Sequence, residues 1–423
     1  MTLTANEQYL LELMNRARLD PAGEAARMGI DLNAGLAAGT ISTAAKQVLA
    51  PNALLDAAAT AHTLWMLSAD VFSHTGAGGS SHIQRANSAG YATGYVSENI
   101  AWTGTSGTPN QLAQIEQMHS GLFLSAGHRV NLLDGTMRET GIAVESGVFS
   151  TGGNNWNAAM LTEMFGTWGA AHFLTGVAYG DANGDKFYSV GEGTAGVTFA
   201  VGGMQTTTAT AGGYALDAGS GAATAVTGTV GGKAFALLVD MSLGNVKLDV
   251  VSGTAFYTSG SITLGSGINN ALLLGVAGLA ATGNAARNVL TGNKGGNALD
   301  GLGGNDMLNG GIGGDALDGG TGNDRLNGGK GADALTGGLG ADQFTFLNGS
   351  GGDRVSDFSL AGGDRLVLDD ALWGGVVLQA AEIIDQFASV SAGDVVFDFG
   401  GGDVIRLEGL AVLTGLAGAI DFI

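Results

Sequence analysis

The sequence predicts a multidomain protein: an α+β region, then an all-β module, then a stack of short repeats with a β-rich end. Three observations predict it. Apolar residues recur at helical spacing through the first 133 positions and then give way to two strand-like segments, and helices followed by strands indicate an α+β fold. Residues 169–283 carry short strand-like segments between turn residues. From 292 to 344 the chain repeats every nine residues, which marks a repeat architecture and not a single globular core. The expected divisions are 1–168, 169–283, 284–345 and 346–423.

Composition narrows the function. The 423 residues include 38 Asp and Glu against 17 Lys and Arg, a formal net charge of −21, which argues against nucleic acid as a partner because that needs basic patches. Much of the acid lies in glycine-rich loops, as suits a protein that meets millimolar calcium. Cysteine is absent, so no disulfide framework exists. The longest apolar runs, such as Ala271–Ala281, are too short to span a bilayer. The N-terminus runs straight into an amphipathic helix, without the basic and apolar regions of a signal peptide.

In the first region, Thr4 and Glu7 form a capping-box pattern ahead of Leu10, Leu13, Met14 and Ala17 at helical spacing. Asp20-Pro21 stops that helix, and a short second one closes at Gly29. Pro51 opens a longer helical pattern through Leu55, Ala58 and Trp65. A turn follows at Phe72-Ser73-His74-Thr75-Gly76, then a short helix over 81–89. Thr108-Pro109 reads as an N-cap with Pro at the first helical position, starting a helix toward Phe123. Strand patterns cover 139–149 and 158–165.

The motifs Phe72-Ser73-His74-Thr75-Gly76, Ser97-Glu98-Asn99-Ile100-Ala101 and Gly127-His128-Arg129-Val130-Asn131-Leu132-Leu133, in this order, resemble the CAP superfamily of cysteine-rich secretory, antigen 5 and pathogenesis-related proteins. The resemblance covers about residues 1–168 and implies an α-β-α sandwich with a cleft of two histidines and two acids, in some members holding zinc or another divalent ion. His74, Glu98 and His128 fall on three of the four cleft positions, while the fourth has no clear match beyond Glu116 or His119. Two imidazoles and a carboxylate can ligate zinc and leave a position open for water. Equally, Glu98 can act as a base toward a substrate held by the histidines, or the three can form a structural hydrogen-bond network. Arg129, Asn131 and Asn99 are expected to brace the cleft and its loops, and Trp65, Trp102 and Trp156 to lie in the core.

The middle region opens on Asp181-Ala182-Asn183-Gly184-Asp185, with Glu192 following. Asp181, Asn183, Asp185 and Glu192 stand at positions 1, 3, 5 and 12 of a calcium loop, but Lys186 occupies the position where glycine is needed. Calcium and a plain Asx-rich turn both remain open there. The flanks read as strands, so an EF-hand is not indicated, and the pattern resembles loops of small secreted β-sandwich modules. This module is expected to act as a spacer.

In the repeats an acidic or amide residue recurs at Asn297, Asp306, Asp315, Asp324, Asp333 and Asp342. Two places after each stands Leu299, Leu308, Leu317, Leu326, Leu335 or Phe344. Glycine permits the positive φ of a tight turn and lets carbonyls point inward, so Gly310, Gly319, Gly328 and Gly337 join the aspartates as candidate calcium ligands. Calcium takes about six to eight such oxygens. One repeat cannot bury its leucine alone, so repeats must stack.

This pattern resembles the repeat-in-toxin (RTX) family. The resemblance implies a parallel β-roll whose successive turns alternate sides. Asp306, Asp324 and Asp342 would then line one side, with Asp315 and Asp333 on the other. Asn297, and the weaker echo at Asn288 and Leu290, read as a degraded cap. The resemblance also implies export by a type I secretion machinery and folding outside the cell, and the terminal Asp421-Phe422-Ile423 is similar to the ends of such proteins. The expected whole is a secreted calcium-binding protein that displays a CAP-like domain, a binder of a lipid, sterol or cell-envelope component. A metal-assisted hydrolase and a structural or adhesive surface protein are the alternatives.

Overall fold

The structure, a computed structural model, describes residues 3–91 and 94–423; Met1 and Thr2, where the expected leader-free start begins, lie outside the described residues. The chain forms two compact units, one of residues 1–232 with 240–253 and one of 233–239 with 254–423.

In the first unit, helix α1 (Ala5–Leu19) begins with the expected capping box between Thr4 and Glu7. Helix α2 (Pro21–Arg27) follows, with the Asp20 side chain accepting the Gly23 N–H. The two-residue strand β1 (Ala50–Pro51) precedes helix α3 (Ala53–Ser68), whose N-cap is Asn52. Helix α4 (His82–Ser88) and strand β2 (Tyr95–Thr105) come next. Helix α5 (Gln111–Leu124) is capped by Asn110 and not by the expected Thr108. The Asn110 side chain accepts the Ala113 N–H at 3.2 Å, which satisfies an orphan donor of the first turn and places Thr108 and Pro109 before the helix. Helix α6 (Ala126–Leu132) leads to strands β3 (Glu139–Thr151) and β4 (Asn154–Thr167).

The four strands form one sheet in the order β1-β3-β4-β2. Side chains alternate across it, so its two faces bury different cores. Ile142, Leu161 and Phe165 pack with Leu10 and Met14 of α1 and Ile115 and Phe123 of α5. Their chain neighbours Ala143 and Met164 pack with Leu55 and Ala59 of α3 and Ala86 of α4. This is the α-β-α sandwich.

Residues 173–230 and 246–251 add strands to the same unit. Phe173–Tyr179 pairs parallel with Val246–Val251 and antiparallel with Gly213–Asp217. Thr198–Val201 pairs antiparallel with Met204–Thr207 and with Thr224–Val230. Phe199 and Tyr214 stack at 3.8 Å. The boundary expected near 168 runs beside a packed contact. Lys247 is buried and pairs with Glu12 of α1 at 2.8 Å and with Asp249. Asn245 Nδ2 donates to Val48 O at 2.9 Å and to Arg138 O at 2.6 Å.

The second unit is the β-roll. Its strands pair parallel with the strand 18 residues on, as in Leu308↔Leu326 and Leu317↔Leu335. The paired positions build two interior columns. One runs Phe256, Ala271, Leu290, Leu308, Leu326, Phe344, Leu366, Ile420. The other runs Ile262, Ala281, Leu299, Leu317, Leu335, Val355, Leu407. The parallel ladder thus starts at Ala255–Thr258, ahead of the nine-residue period, and continues through the C-terminal end. A Cβ added at Gly322, Gly331 or Gly340 would run into the carbonyl of the glycine 18 residues earlier, and each holds a positive φ. That close approach is why the turns need glycine there. The last strand, Ile420–Phe422, pairs with Arg365–Leu368, and Arg365 forms an ion pair with Asp421.

Candidate functional site

Two groups of side chains stand out. The first is the cleft of the sandwich. The loop after α3 supplies His74, β2 supplies Glu98 and α6 supplies His128. His74 Nδ1 donates to Glu98 Oε1 at 2.9 Å, and the two imidazole rings of His74 and His128 lie 6.4 Å apart. Glu98 is 5% exposed. Its other oxygen takes the Arg85 Nη2 hydrogen bond at 2.5 Å. Burial opposes ionisation of Glu98, but the hydrogen bonds from His74 and Arg85 outweigh it and hold the carboxyl below its ordinary range. His62, on α3, donates from Nε2 to Ser73 O at 3.0 Å, and that nitrogen lies 4.0 Å from Glu98 Oε1. Burial, then the charge of His74, lowers the pKa of His128. Its Nδ1 shares a 2.9 Å hydrogen bond with Ser125 Oγ.

Neither residue suggested for the fourth cleft position lies there. Glu116 accepts the Tyr9 hydroxyl at 2.9 Å, and His119 faces Glu24 at 3.3 Å. Arg85 of α4 reaches Glu98 instead, so the cleft carries two imidazoles, one carboxylate and one guanidinium. The donor set does not fit zinc as a three-ligand site: Arg85 already neutralises Glu98 and would face the ion as a like charge. Among the described residues no group of three His, Cys, Asp or Glu side chains gathers closely enough to hold a metal ion.

Beneath the cleft, Asn99 Nδ2 donates to Glu163 Oε2 at 3.1 Å and to His128 O at 3.2 Å. Asn131 Nδ2 donates to Asn99 Oδ1 at 2.9 Å and to Glu98 O at 3.3 Å. These bonds tie the chain at Glu98 and at His128 together, as expected for Asn99 and Asn131. Arg129 does not share in this; it donates to Phe123 O and Ala34 O and braces a loop. Glu163 was not marked by its sequence context. Burial pushes its carboxyl up to about 7 against the Asn99 hydrogen bond, and its Oε1 has no donor.

Beside His128 a groove of about 390 Å³ runs along β2 and α5, lined by Phe72, Ile100, Trp102, Met118 and Leu122 and by the polar Thr103, Gln117, Ser125 and His128. Trp102, expected in the core, is half-buried on its wall and packs edge-on against Phe149 at 4.8 Å.

The second group is the column of repeat aspartates. Each of Asp306, Asp315, Asp324, Asp333 and Asp342 is buried, and each Oδ1 accepts a backbone N–H from the residue 18 positions earlier. Each Oδ2 is buried without a donor. Burial pushes Asp306 and Asp342 up to about 6. A buried oxygen with no partner is costly, and a hard cation would remove that cost. No side chain fits beside these oxygens: a Cβ at Gly301 would run into Asp306 Oδ2 and Gly319 O, one at Gly310 into Asp315 Oδ2 and Gly328 O, and one at Gly319 into Asp324 Oδ2 and Gly337 O. At each of these turns a carboxylate oxygen and a backbone carbonyl oxygen therefore stand close together, and such oxygens are the chemistry calcium takes. With a backbone carbonyl beside each single carboxylate, they form no side-chain cluster.

The loop at Asp181 is closed by its own bonds. Glu192 Oε1 and Oε2 accept the N–H groups of Ala182 and Ser189, Asn183 Nδ2 donates to Asp185, and Asp181 Oδ2 accepts the Lys186 N–H. Asp181 Oδ1 is buried without a donor, and the Tyr188 hydroxyl of the same loop is buried without a partner.

Comparisons with known proteins agree with this geometry. Residues 11–160 match the Cysteine-rich secretory protein family, CAP. Residues 282–317 and 309–344 match the RTX calcium-binding nonapeptide repeat. No curated protein gives a significant match. Among solved structures, the extracellular lipase LipA from Serratia marcescens is 20% identical with a TM-score of 0.26, over 46% of this chain and 30% of the lipase. The AlgE6R3 subunit of the Azotobacter vinelandii mannuronan C5-epimerase is 28% identical with a TM-score of 0.14, over 33% of this chain and 79% of that one. Those scores are too low to carry an argument. This chain therefore joins a CAP domain to a roll of RTX calcium-binding nonapeptide repeats.

Proposed function

We propose that this is a secreted protein whose roll takes up several calcium ions through Asp306, Asp315, Asp324, Asp333 and Asp342, and whose CAP domain binds an amphiphilic lipid or sterol of a cell envelope. The observation that carries the binding reading is the groove of about 390 Å³. Its lining is mainly aliphatic and aromatic, with Thr103, Gln117, Ser125 and His128 as the polar groups, the mix of a site that buries a chain and orients a head group. His74 and His128 can contact that head group, and Arg85 keeps Glu98 ionised as the acceptor that orients His74.

Export by a type I system is the route that the repeats suggest, and calcium outside the cell would then complete the roll. The Asp181 loop remains a candidate for one further calcium ion through Asp181 Oδ1, at the expense of its internal bonds. A hydrolase reading finds less support, because Glu98 is held by Arg85 and His128 Nδ1 is occupied by its hydrogen bond with Ser125 Oγ.

Fluorescent fatty-acid and sterol probes titrated onto the full chain in calcium test this reading. Phe72 is 41% exposed, so Phe72→Ser should leave the fold intact and weaken probe binding about tenfold, the effect of losing about 1.4 kcal/mol of apolar contact. Unchanged affinity in that variant, or no binding of either probe, would overturn it.

A further inference from the structure

The first turns of the roll have the same backbone as the aspartate turns but a different chemistry at the ion position. Asn288 and Asn297 stand where the repeats have aspartate, 18 residues ahead of Asp306 and Asp315. Replacing one carboxylate oxygen by an amide NH2 turns an acceptor without a partner into a donor. Both side chains use it. Asn288 Oδ1 accepts the Asn284 N–H at 2.9 Å, and its Nδ2 donates to Asn269 O at 2.8 Å. Asn297 Oδ1 accepts the Asn293 N–H at 2.8 Å, and its Nδ2 donates to Leu279 O at 3.4 Å.

The neighbours extend the pattern. Asn293 Nδ2 donates to Leu274 O at 3.0 Å and Ala277 O at 2.9 Å, Asn284 Nδ2 to Gly265 O at 2.8 Å, and Asn270 Nδ2 to Thr254 O at 3.0 Å. So in turn after turn an asparagine amide reaches back 16 to 19 residues, from Asn270 through Asn297, and satisfies a carbonyl of the turn before it. The five aspartate Oδ2 atoms that follow have no such closure. The interior column is already continuous here, with Phe256, Ala271 and Leu290 buried in register.

We propose that the turns from Ala255 to Leu302 are a metal-independent platform, sealed by asparagine amides in place of ions, on which the calcium-dependent turns assemble. The proposal rests on the reading that calcium orders the repeats. A platform of this kind would spare the ion-dependent segment the cost of starting a stack from nothing, since each repeat gains its burial only from a neighbour. The asparagine turns are therefore not weakened calcium sites. They are a finished end.

Hydrogen exchange on the full chain, in chelator and in millimolar calcium, separates the possibilities. Amides of 271–274 and 289–302 should stay protected in both conditions, while those of 316–345 gain about tenfold or more protection only with calcium. Equal exposure of both segments in chelator would overturn the platform and leave calcium-coupled ordering intact. Protection of 316–345 in chelator would overturn the coupling reading, and the platform with it. A second variant gives an independent check. Asn288→Asp with Asn297→Asp should increase the calcium bound per chain, read by equilibrium dialysis, and make 289–302 calcium-dependent. An unchanged ion count together with unchanged protection in chelator would contradict the assignment.

Discussion

At the scale of single residues, Glu163 sets a pH dependence for the first unit. Burial raises its carboxyl from 4.5 to about 7, so the folded form holds a proton that the unfolded chain releases. The stability this contributes is complete below about pH 4.5 and is lost as pH rises to about 7, a change on the order of 3 kcal/mol. Glu163→Gln should therefore raise the melting temperature at pH 8 and gain nothing at pH 5; a gain of equal size at both would contradict the assignment. Glu24 has the opposite sign. His119 and Arg16 outweigh burial and hold it near 2, so its contribution is lost only as pH falls from 4.5 toward 2, outside the Glu163 window. In the roll, Asp324→Ala removes a buried ligand oxygen and the acceptor of the Asp306 N–H, worth roughly 1–3 kcal/mol. It should raise the calcium midpoint of ordering clearly more than Asn297→Ala, as a calcium titration would read. The repeat aspartates and leucines were legible because each recurs in the same environment, nine residues apart. Arg85 and Glu163 were not, because their partners lie 13 and 64 residues away and no local pattern marks such a contact.

At the scale of elements, the strand Val246–Val251 and helix α1 are joined by charge. Lys247 sits between Glu12 and Asp249, all three buried. Lys247→Met would leave two buried carboxylates facing each other, and the cost of breaking such a group is about 3–5 kcal/mol. Urea denaturation should show that loss in the first unit; a loss below about 1 kcal/mol would mean the ions are solvated. Helices α1 to α5 were readable from period and caps, with one misplacement, whereas α6, only Ala126–Leu132, was not read as a helix. Thr108-Pro109 has the composition of a helix start, yet Asn110 has both the side chain and the position to accept the Ala113 N–H. The ladder before residue 284 was not readable. Phe256, Ala271, Leu290 and Leu308 share a column without sharing a motif, because parallel pairing needs only a small apolar residue at each level. Beyond Phe344 the continuation was readable, because apolar and polar residues alternate over 354–358, 364–368, 394–399 and 403–407, and strands at Gly352–Val355, Arg365–Leu368 and Asp403–Leu407 carry the stack on; Ile420 at its end had no such alternation.

At the scale of the whole chain, the net charge of −21 and the buried, unpartnered carboxylate oxygens make one argument. On the proposed reading, like charges and unsatisfied oxygens oppose stacking of the repeats without the ion. Calcium would cancel the charge and let the leucine columns close, so that the free energy of binding becomes free energy of folding. The cleft and groove of the CAP domain are built from buried apolar faces and hydrogen bonds. The most direct test is a far-ultraviolet circular dichroism titration of the chelated full chain with calcium. The account predicts a gain of β-structure that saturates by millimolar calcium, over a constant contribution from the first unit. A spectrum that does not change up to several millimolar would contradict it.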